Sequence, residues 1–318
     1  MRKHAVVLFN MGGPDTPQAV KPFLFNLFGD RDIFNIPVGQ KLFAKIMSSL
    51  RAPKVRERYK HIGGKSPLNE WTEMQRAMLG QELQNAFPGT EVFTAMRYWN
   101  PTIADAALKI LEKPFDKIVL LPLYPHYSIT TTGSAFNEWS RVYRGDTARL
   151  KYVYDYFDNP KYIAAVNARI DETISGFPVN VRDRIQLVFS AHGTPESLVK
   201  QGDPYAKQID ETVRLVMEAR NFSHEHHLCF QSKVGPAKWL EPATDTMIKT
   251  LAAKGKKQLL LVPISFVSDH IETLFELDME YRAIADQAGI ENYIVMKGLN
   301  DSKAFVAALQ ELAVRALQ

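Results

Sequence analysis

The chain repeats its order of strands and loops, and this repetition restricts the possible folds more than any other feature. Val6–Phe9 runs into Asn-Met-Gly-Gly-Pro, and Leu187–Phe189 runs into Ser-Ala-His-Gly-Thr-Pro. Ile118-Val119-Leu120-Leu121-Pro122 is answered by Leu259-Leu260-Leu261-Val262-Pro263, each an apolar run broken by proline where polar residues begin. Tyr152-Val153-Tyr154 and Tyr293-Ile294-Val295 form a third pair, each followed by an Asn/Asp turn and an amphipathic pattern. Glu91–Ala95 and Leu228–Gln231 add one further short strand per half. Short apolar runs alternating with helical patterns argue for parallel sheets covered by helices. The expected fold is α/β: two similar lobes, each a four-stranded parallel sheet with helices on both faces. The first lobe is expected over residues 1–176 and carries a long insertion. The second is expected over 177–318, joined near 177–184, with a C-terminal helix able to pack back on the first.

Helices are placed by spacing. Trp71, Met74, Met78 and Leu79 share one helical stripe, and Ile163, Val166, Ile170 and Ile174 another. A length of 318 residues favours two domains, and 46% hydrophobic with 23% charged residues is the composition of a globular chain with large cores. The net charge of +4 is small and Lys and Arg are scattered, so no nucleic-acid partner is expected. A single cysteine, Cys229, excludes a disulfide framework and cannot alone hold zinc or an iron–sulfur cluster. The first apolar run, Ala5–Phe9, is too short for a signal peptide, and no window approaches the roughly 18 apolar residues of a membrane span. A cytoplasmic protein with at most peripheral membrane contact is expected.

In open parallel sheets ligands bind beyond the carboxyl ends of the strands, which directs attention to the loops after Phe9, Leu123, Phe189 and Ser265. Within Ser265–Glu280, the carboxylates Glu272, Glu276 and Glu280 recur every four residues, an acidic stripe on a helix suited to a divalent cation or a proton path. His270 adds a softer ligand suitable for ferrous iron. The competing reading makes Asp269 a helix cap and Glu272 the far end of a capping box. His192 stands directly after an apolar strand, where an imidazole can remove a proton or bind a soft metal; otherwise it is a histidine satisfied by nearby backbone. Gly64-Lys65-Ser66 lacks the first glycine of a phosphate loop, which would fall at Tyr59. His224-Glu225-His226-His227 lacks the histidine a zincin needs at Leu228 and reads as a surface loop. No Gly-x-Ser-x-Gly elbow surrounds Ser190. Pro22–Phe28 and Ile33–Pro37 are dense in apolar residues without a clean helical stripe, which fits either burial or an apolar lip for a flat ligand or lipid.

Taken together, these segments resemble the ferrochelatases over nearly the entire chain. The resemblance is carried by Asn10-Met11-Gly12-Gly13-Pro14; Tyr59 with Ile62–Leu68; Leu123-Tyr124-Pro125 with Tyr127-Ser128 and Thr132-Gly133-Ser134; Phe189–His192; Gln231–Pro236; and Ser268–Glu280. It implies two Rossmann-like lobes holding a porphyrin in a cleft, and insertion of Fe2+ into protoporphyrin IX with release of two protons, the last step of haem synthesis. By this likeness His192 is the catalytic histidine and Glu272 its carboxylate partner, while His270, Glu276, Glu280 and Asp269 match an acidic helix conducting metal or protons. Met11, Tyr59, Ser66, Arg97, Tyr124 and Trp239 fall at porphyrin-contacting positions, and the stretch including Phe25 and Ile36 looks like the lip through which the macrocycle enters.

The chemistry suits these residue types, because two inner N–H protons must leave as iron binds and a nearby base must take them. Iron is then a substrate, and neither a cofactor nor an iron–sulfur cluster is expected. Porphyrin and ferrous iron are the expected partners, a monomer the expected state, with contact to the inner face of a membrane through the lip. Thr194 and His126 depart from the family's common leucine and glutamine. Competing readings are a coproporphyrin ferrochelatase, a cobalt or nickel chelatase for a related tetrapyrrole, and a non-catalytic haem or metal binding protein.

Overall fold

A parallel strand buried on both faces needs an almost unbroken apolar run, because no side chain can point to water. The runs singled out above accordingly form strands. The computed structural model describes residues 3–233, 235 and 237–318; Met1, Arg2, and Val234 and Pro236 of the Gln231–Pro236 motif lie outside the described residues. From the amino end, the elements are β1 (His4–Asn10), α1 (Val20–Gly29), α2 (Gln40–His61), α3 (Leu68–Ala86), β2 (Glu91–Met96), α4 (Ile103–Leu111), β3 (Lys117–Pro122), α5 (Ser134–Val142) and β4 (Leu150–Tyr152). They continue with α6 (Pro160–Ser175), β5 (Gln186–His192), α7 (Glu196–Lys200), α8 (Tyr205–Ala219), β6 (Glu225–Gln231), α9 (Thr244–Ala253), β7 (Gln258–Pro263), α10 (Tyr281–Gln287), β8 (Asn292–Val295) and α11 (Lys303–Leu317).

The two four-stranded sheets are entirely parallel and share one topology, β2-β1-β3-β4 and β6-β5-β7-β8. The repetition extends below the level of strands. After β3 a π-helical segment, Ile129–Gly133, leads into α5, and after β7 a longer one, Glu272–Glu280, leads into α10. In both halves an amide near the end of the second strand donates to a proline carbonyl, Met96 N–H to Pro101 at 2.7 Å and Phe230 N–H to Pro242 at 2.9 Å. Helix starts have local causes. Thr102 and Asp105 close a capping box on α4, and Asn159 accepts from the amides of Lys161 and Tyr162 ahead of Pro160, which opens α6.

Contacts divide the chain into one unit of Met1–Tyr156 with Phe305–Gln318 and another of Phe157–Ala304. The division thus falls before α6, not at 176/177. The buried stripe Ile163, Val166 and Ile170 belongs to a helix that packs on α8, with Asn167 Nδ2 donating to Val216 O (3.3 Å) and Arg220 paired with Asp171 (2.7 Å). In the first unit, Ala5, Val7 and Phe9 of β1 pack under α4 and α5 around Trp139 and Phe136. In the second, Val188, Leu259 and Leu261 pack under α9 and α10 with Tyr293.

The buried faces of two helices differ from expectation. The buried face of α3 runs through Leu68, Thr72, Gln75, Leu79 and Leu83, leaving Met74 exposed. Thr72 is tolerated inside because its hydroxyl donates to Leu68 O (2.8 Å) and accepts from Asn10 Nδ2 (2.9 Å). The segment read as lacking a stripe has one, since Val20, Phe23, Leu24 and Phe28 are the buried face of α1. His224–His227 enters β6 and is not a surface loop; His227 Nε2 meets Gln186 Oε1 at 3.1 Å.

Candidate active site

β5 and β7 lie side by side where the strand order of the second sheet reverses, the position at which open α/β sheets place their ligands. β5 ends on His192. Its backbone is held from two sides, the N–H donating to Ser265 Oγ (2.9 Å) and the carbonyl accepting from Tyr205 Oη (3.0 Å). The loop leaving β7 carries Phe266, whose ring meets His192 edge-on and His270 at a centroid distance of 4.5 Å. Next comes the π-helical segment, and its first residue is Glu272. Winding of this kind is rare and concentrates at functional sites.

His192 Nε2 and His270 Nε2 both approach Glu272 Oε2, at 3.8 and 3.7 Å. At those distances the interaction is electrostatic, and Oε2 is buried with no hydrogen-bond partner. Burial alone would raise the Glu272 carboxyl, but the imidazoles of His192 and His270 outweigh it and hold the group down to about 2. His270 is buried, and its Nδ1 lies 3.1 Å from Ser268 O. A carbonyl can only accept, so Nδ1 carries a proton and Nε2 is the atom turned to Glu272.

The remaining acidic residues are engaged elsewhere. Glu276 accepts at Oε1 from Ser232 N–H (2.9 Å) and Tyr281 Oη (3.0 Å), and at Oε2 from Ser232 Oγ (2.6 Å). Burial first, then the charge of Glu272, raise its carboxyl. Asp269 is buried and bonded to Asn300, Gly298 and Thr273. It does not cap a helix, and Glu272 completes no capping box; Thr273 Oγ1 instead accepts the His270 N–H (3.0 Å). Glu280 ends the π-helical segment, half-buried. Three of the six expected metal-binding side chains thus meet, through one carboxylate oxygen. Among the described residues no group of three or more His, Cys, Asp or Glu side chains is arranged to hold a metal ion. Trp239, also in this unit, bridges Pro195 beside the turn after His192, with its Nε1 buried and unbonded.

The other porphyrin-side candidates belong to the first unit. Arg97 pairs with the buried Asp30 (2.9 Å) and donates through Nε to Ser134 Oγ (2.8 Å). Asp30 also accepts from Tyr98 Oη (2.7 Å) and from Ser134. This carboxylate went unnoticed in the sequence, where only its place after an apolar helix could have marked it. Ser66 is buried against Gly13, where a Cβ would stand 2.5 Å from the serine Cβ, so its hydroxyl is sealed behind the Gly-Gly-Pro loop. Tyr59 is buried as well. Met11 and Tyr124 keep partial exposure at the ends of β1 and β3, and burial pushes the Tyr124 phenol up. Phe25 is exposed on α1 and Ile36 half-buried in the turn before α2.

A family model described as ferrochelatase matches residues 3–317. A ferrochelatase from Geotalea daltonii is 48% identical over 314 residues, covering 98% of this chain and 97% of that protein. Among solved structures, the sirohydrochlorin chelatase SirB from Bacillus subtilis subspecies spizizenii aligns with a TM-score of 0.55 at 12% identity, covering 99% of this chain and 96% of that one. The chain also aligns with DR2241 from Deinococcus radiodurans, a multi-domain protein with structural similarity to chelatases, at a TM-score of 0.57 and 12% identity. That match covers 98% of this chain but only 55% of DR2241. The structural matches establish the two-sheet fold, and the sequence matches run through every segment that builds the site: the chain belongs to the ferrochelatase family.

Proposed function

We propose that this protein inserts ferrous iron into protoporphyrin, with His192 and Glu272 as the catalytic pair. The observation that carries the reading is the approach of two imidazole nitrogens to one buried, unbonded carboxylate oxygen. A buried anion without a hydrogen bond is costly unless a cation or proton neutralises it. Two ligand atoms each about 2.1 Å from a shared divalent cation stand about 3.4 Å apart at the tetrahedral angle, and farther apart as that angle opens. The spacing of 3.7 and 3.8 Å therefore suits a passing Fe2+ as well as an imidazolium.

Insertion exchanges two inner N–H protons for one Fe2+. His192, partly exposed at its strand end, takes the two ring protons one after the other, releasing the first before it accepts the second, and each resulting imidazolium is stabilised by the Glu272 carboxylate. Glu276, with its carboxyl raised, is suited to receive each proton onward, and its occupied oxygens make it a poorer iron ligand than Glu272. Iron is the substrate, and no resident cofactor enters the reading. Cys229, the single thiol, is buried and bonded to Phe189 O.

On the porphyrin side the reading assigns Met11, Arg97, Tyr124 and Trp239 to the macrocycle, and Phe25 and Ile36 to its entry. Among the described residues no helix is long and apolar enough to cross a membrane. The exposed Phe25, Val38, Leu42, Ile46 and Leu50, interleaved with Lys21, Lys41 and Lys45, support peripheral contact of α1 and α2 with an anionic membrane face. A cytoplasmic monomer is the state this reading assumes.

The test is anaerobic insertion of Fe2+ into protoporphyrin and coproporphyrin followed by absorbance, with His192→Ala and Glu272→Gln beside the native protein. Native turnover, faster with protoporphyrin, and its loss by about 100-fold or more in both variants with porphyrin binding retained is the expected result. Stable haem retention without insertion by the native protein would favour a carrier instead.

A further inference from the structure

Asp269 is neither a helix cap nor an open ligand, and what surrounds it explains why. Its backbone N–H donates to Asn300 Oδ1 (2.8 Å), while Asn300 Nδ2 donates back to Asp269 Oδ2 (2.6 Å). Gly298 N–H (3.1 Å) and Thr273 Oγ1 (3.0 Å) donate to the other oxygen, Oδ1. Asn300 is further tied to the same loop by its own N–H, which donates to Val267 O (3.0 Å). Ser268, Asp269, His270, Thr273 and Asn300 are all buried. The approach is close enough to demand glycine at 298, since a Cβ there would stand 2.8 Å from Asp269 N and 2.9 Å from Asn300 Oδ1. Asn300 itself takes a positive φ of 34°, which asparagine tolerates better than most residues.

We propose that Asn300 and Asp269 are positioning residues whose reciprocal hydrogen bonds fix the Ser268 carbonyl, hold His270 as its Nδ1–H tautomer and so present His270 Nε2 to ferrous iron. The inference rests on the chelatase reading above and assigns Asp269 a different task from the metal path expected of it. The chain of contacts is short. The clasp immobilises residues 267–269, Ser268 O receives the His270 Nδ1 proton, and Nε2 is left 3.7 Å from Glu272 Oε2. Partners one step removed from a metal-binding imidazole commonly set its tautomer and orientation, and their loss costs about 10–100-fold in metal affinity.

The decisive comparison exchanges the two side chains. Asn300→Asp sets two carboxylates against each other and Asp269→Asn sets two amides, so either single variant opens the clasp. In the double variant Asp269→Asn/Asn300→Asp the bond between the two side chains re-forms with donor and acceptor exchanged, and the others keep their direction, because amide oxygen 269 still accepts from Gly298 and Thr273 and carboxylate 300 still accepts the backbone N–H of 269. We expect KM for Fe2+ to rise about 10-fold or more in each single variant with KM for porphyrin unchanged, and to return to the native value in the double. Nitrogen-15 NMR of the imidazoles should show the Nδ1–H tautomer of His270 in the native and double variants and its loss in the singles. Unchanged KM for Fe2+ in both singles overturns the proposal, as does a double variant impaired like Asp269→Asn while its His270 tautomer is native. If the singles do not fold, the double decides alone: native values of tautomer and KM support the clasp, and loss of either refutes it. A native protein that inserts no iron would sink the chelatase reading, and the tautomer measurement would still judge the clasp.

Discussion

Burial holds the His126 imidazole in the loop after β3 down to about 3. Below the ordinary histidine value of about 6.5 the unfolded chain takes up a proton that the folded protein refuses until about pH 3, so stability is fully present above 6.5 and falls as the pH drops through that window. The slope is about 1.4 kcal/mol per pH unit. Urea unfolding of His126→Gln at pH 7 and pH 5 should show an acid loss smaller than that of the native protein by about 2 kcal/mol; equal losses would mean the group is protonated in the folded state. Glu272 obeys the opposite balance, because the attraction of two imidazoles outweighs its burial. The sequence marked His192, His270 and Glu272 because they sit in strand-end loops rich in unusual residues. It could not mark Asn300, which lies 31 positions from Asp269 in an unremarkable turn, and no local spacing links two polar side chains so far apart.

α1 and α2 form an insertion whose seating on the first unit is set by a few contacts. Phe28, Phe34 and Phe43 gather with centroids 5.4 to 6.1 Å apart, pinning the turn between the helices. Asp30 then anchors the end of α1 to Arg97, Tyr98 and Ser134, with all its side-chain partners more than 60 residues away. Removing one partner from a buried ion pair costs about 3–5 kcal/mol, because the other charge is left uncompensated. Asp30→Asn should lower the stability of the first unit by about 3 kcal/mol in urea titration, and a loss below about 1 kcal/mol would show that Arg97 finds another counter-ion, Glu138 at 3.9 Å being the nearest on offer. The π-helical winding of Glu272–Glu280 is likewise an element-scale outcome. Four-residue spacing of glutamates identifies a helix, but the choice of hydrogen-bond register is made by packing, and here it leaves Glu272 at the imidazoles and Glu276 at Ser232.

The whole molecule is two copies of one strand order, with α11 returned to the first unit. Phe305, Val306, Leu309 and Ala313 are buried, and Lys117 Nζ, at the start of β3, donates to the carbonyls of Leu317 (2.6 Å) and Gln318 (3.0 Å). Phe305→Ala should cost about 3–5 kcal/mol, and hydrogen exchange should quicken in β1 and β3 while β5 and β7 keep their protection. Faster exchange confined to β5 and β7 would assign the helix to the other unit. The sequence alone determined the eight strands, their pairing into repeats, the α/β class and the loops that carry the chemistry, because buried parallel strands need continuous apolar runs and Gly-Pro loops are written locally. Only the tertiary structure decided that α6 joins the second unit, that α11 takes the open option of packing on the first, that Asp269 is clasped instead of open, and that Glu272 keeps a buried oxygen unbonded near two histidines. Each of those outcomes depends on which distant groups compete for the same few hydrogen bonds, and that competition has no period in the sequence.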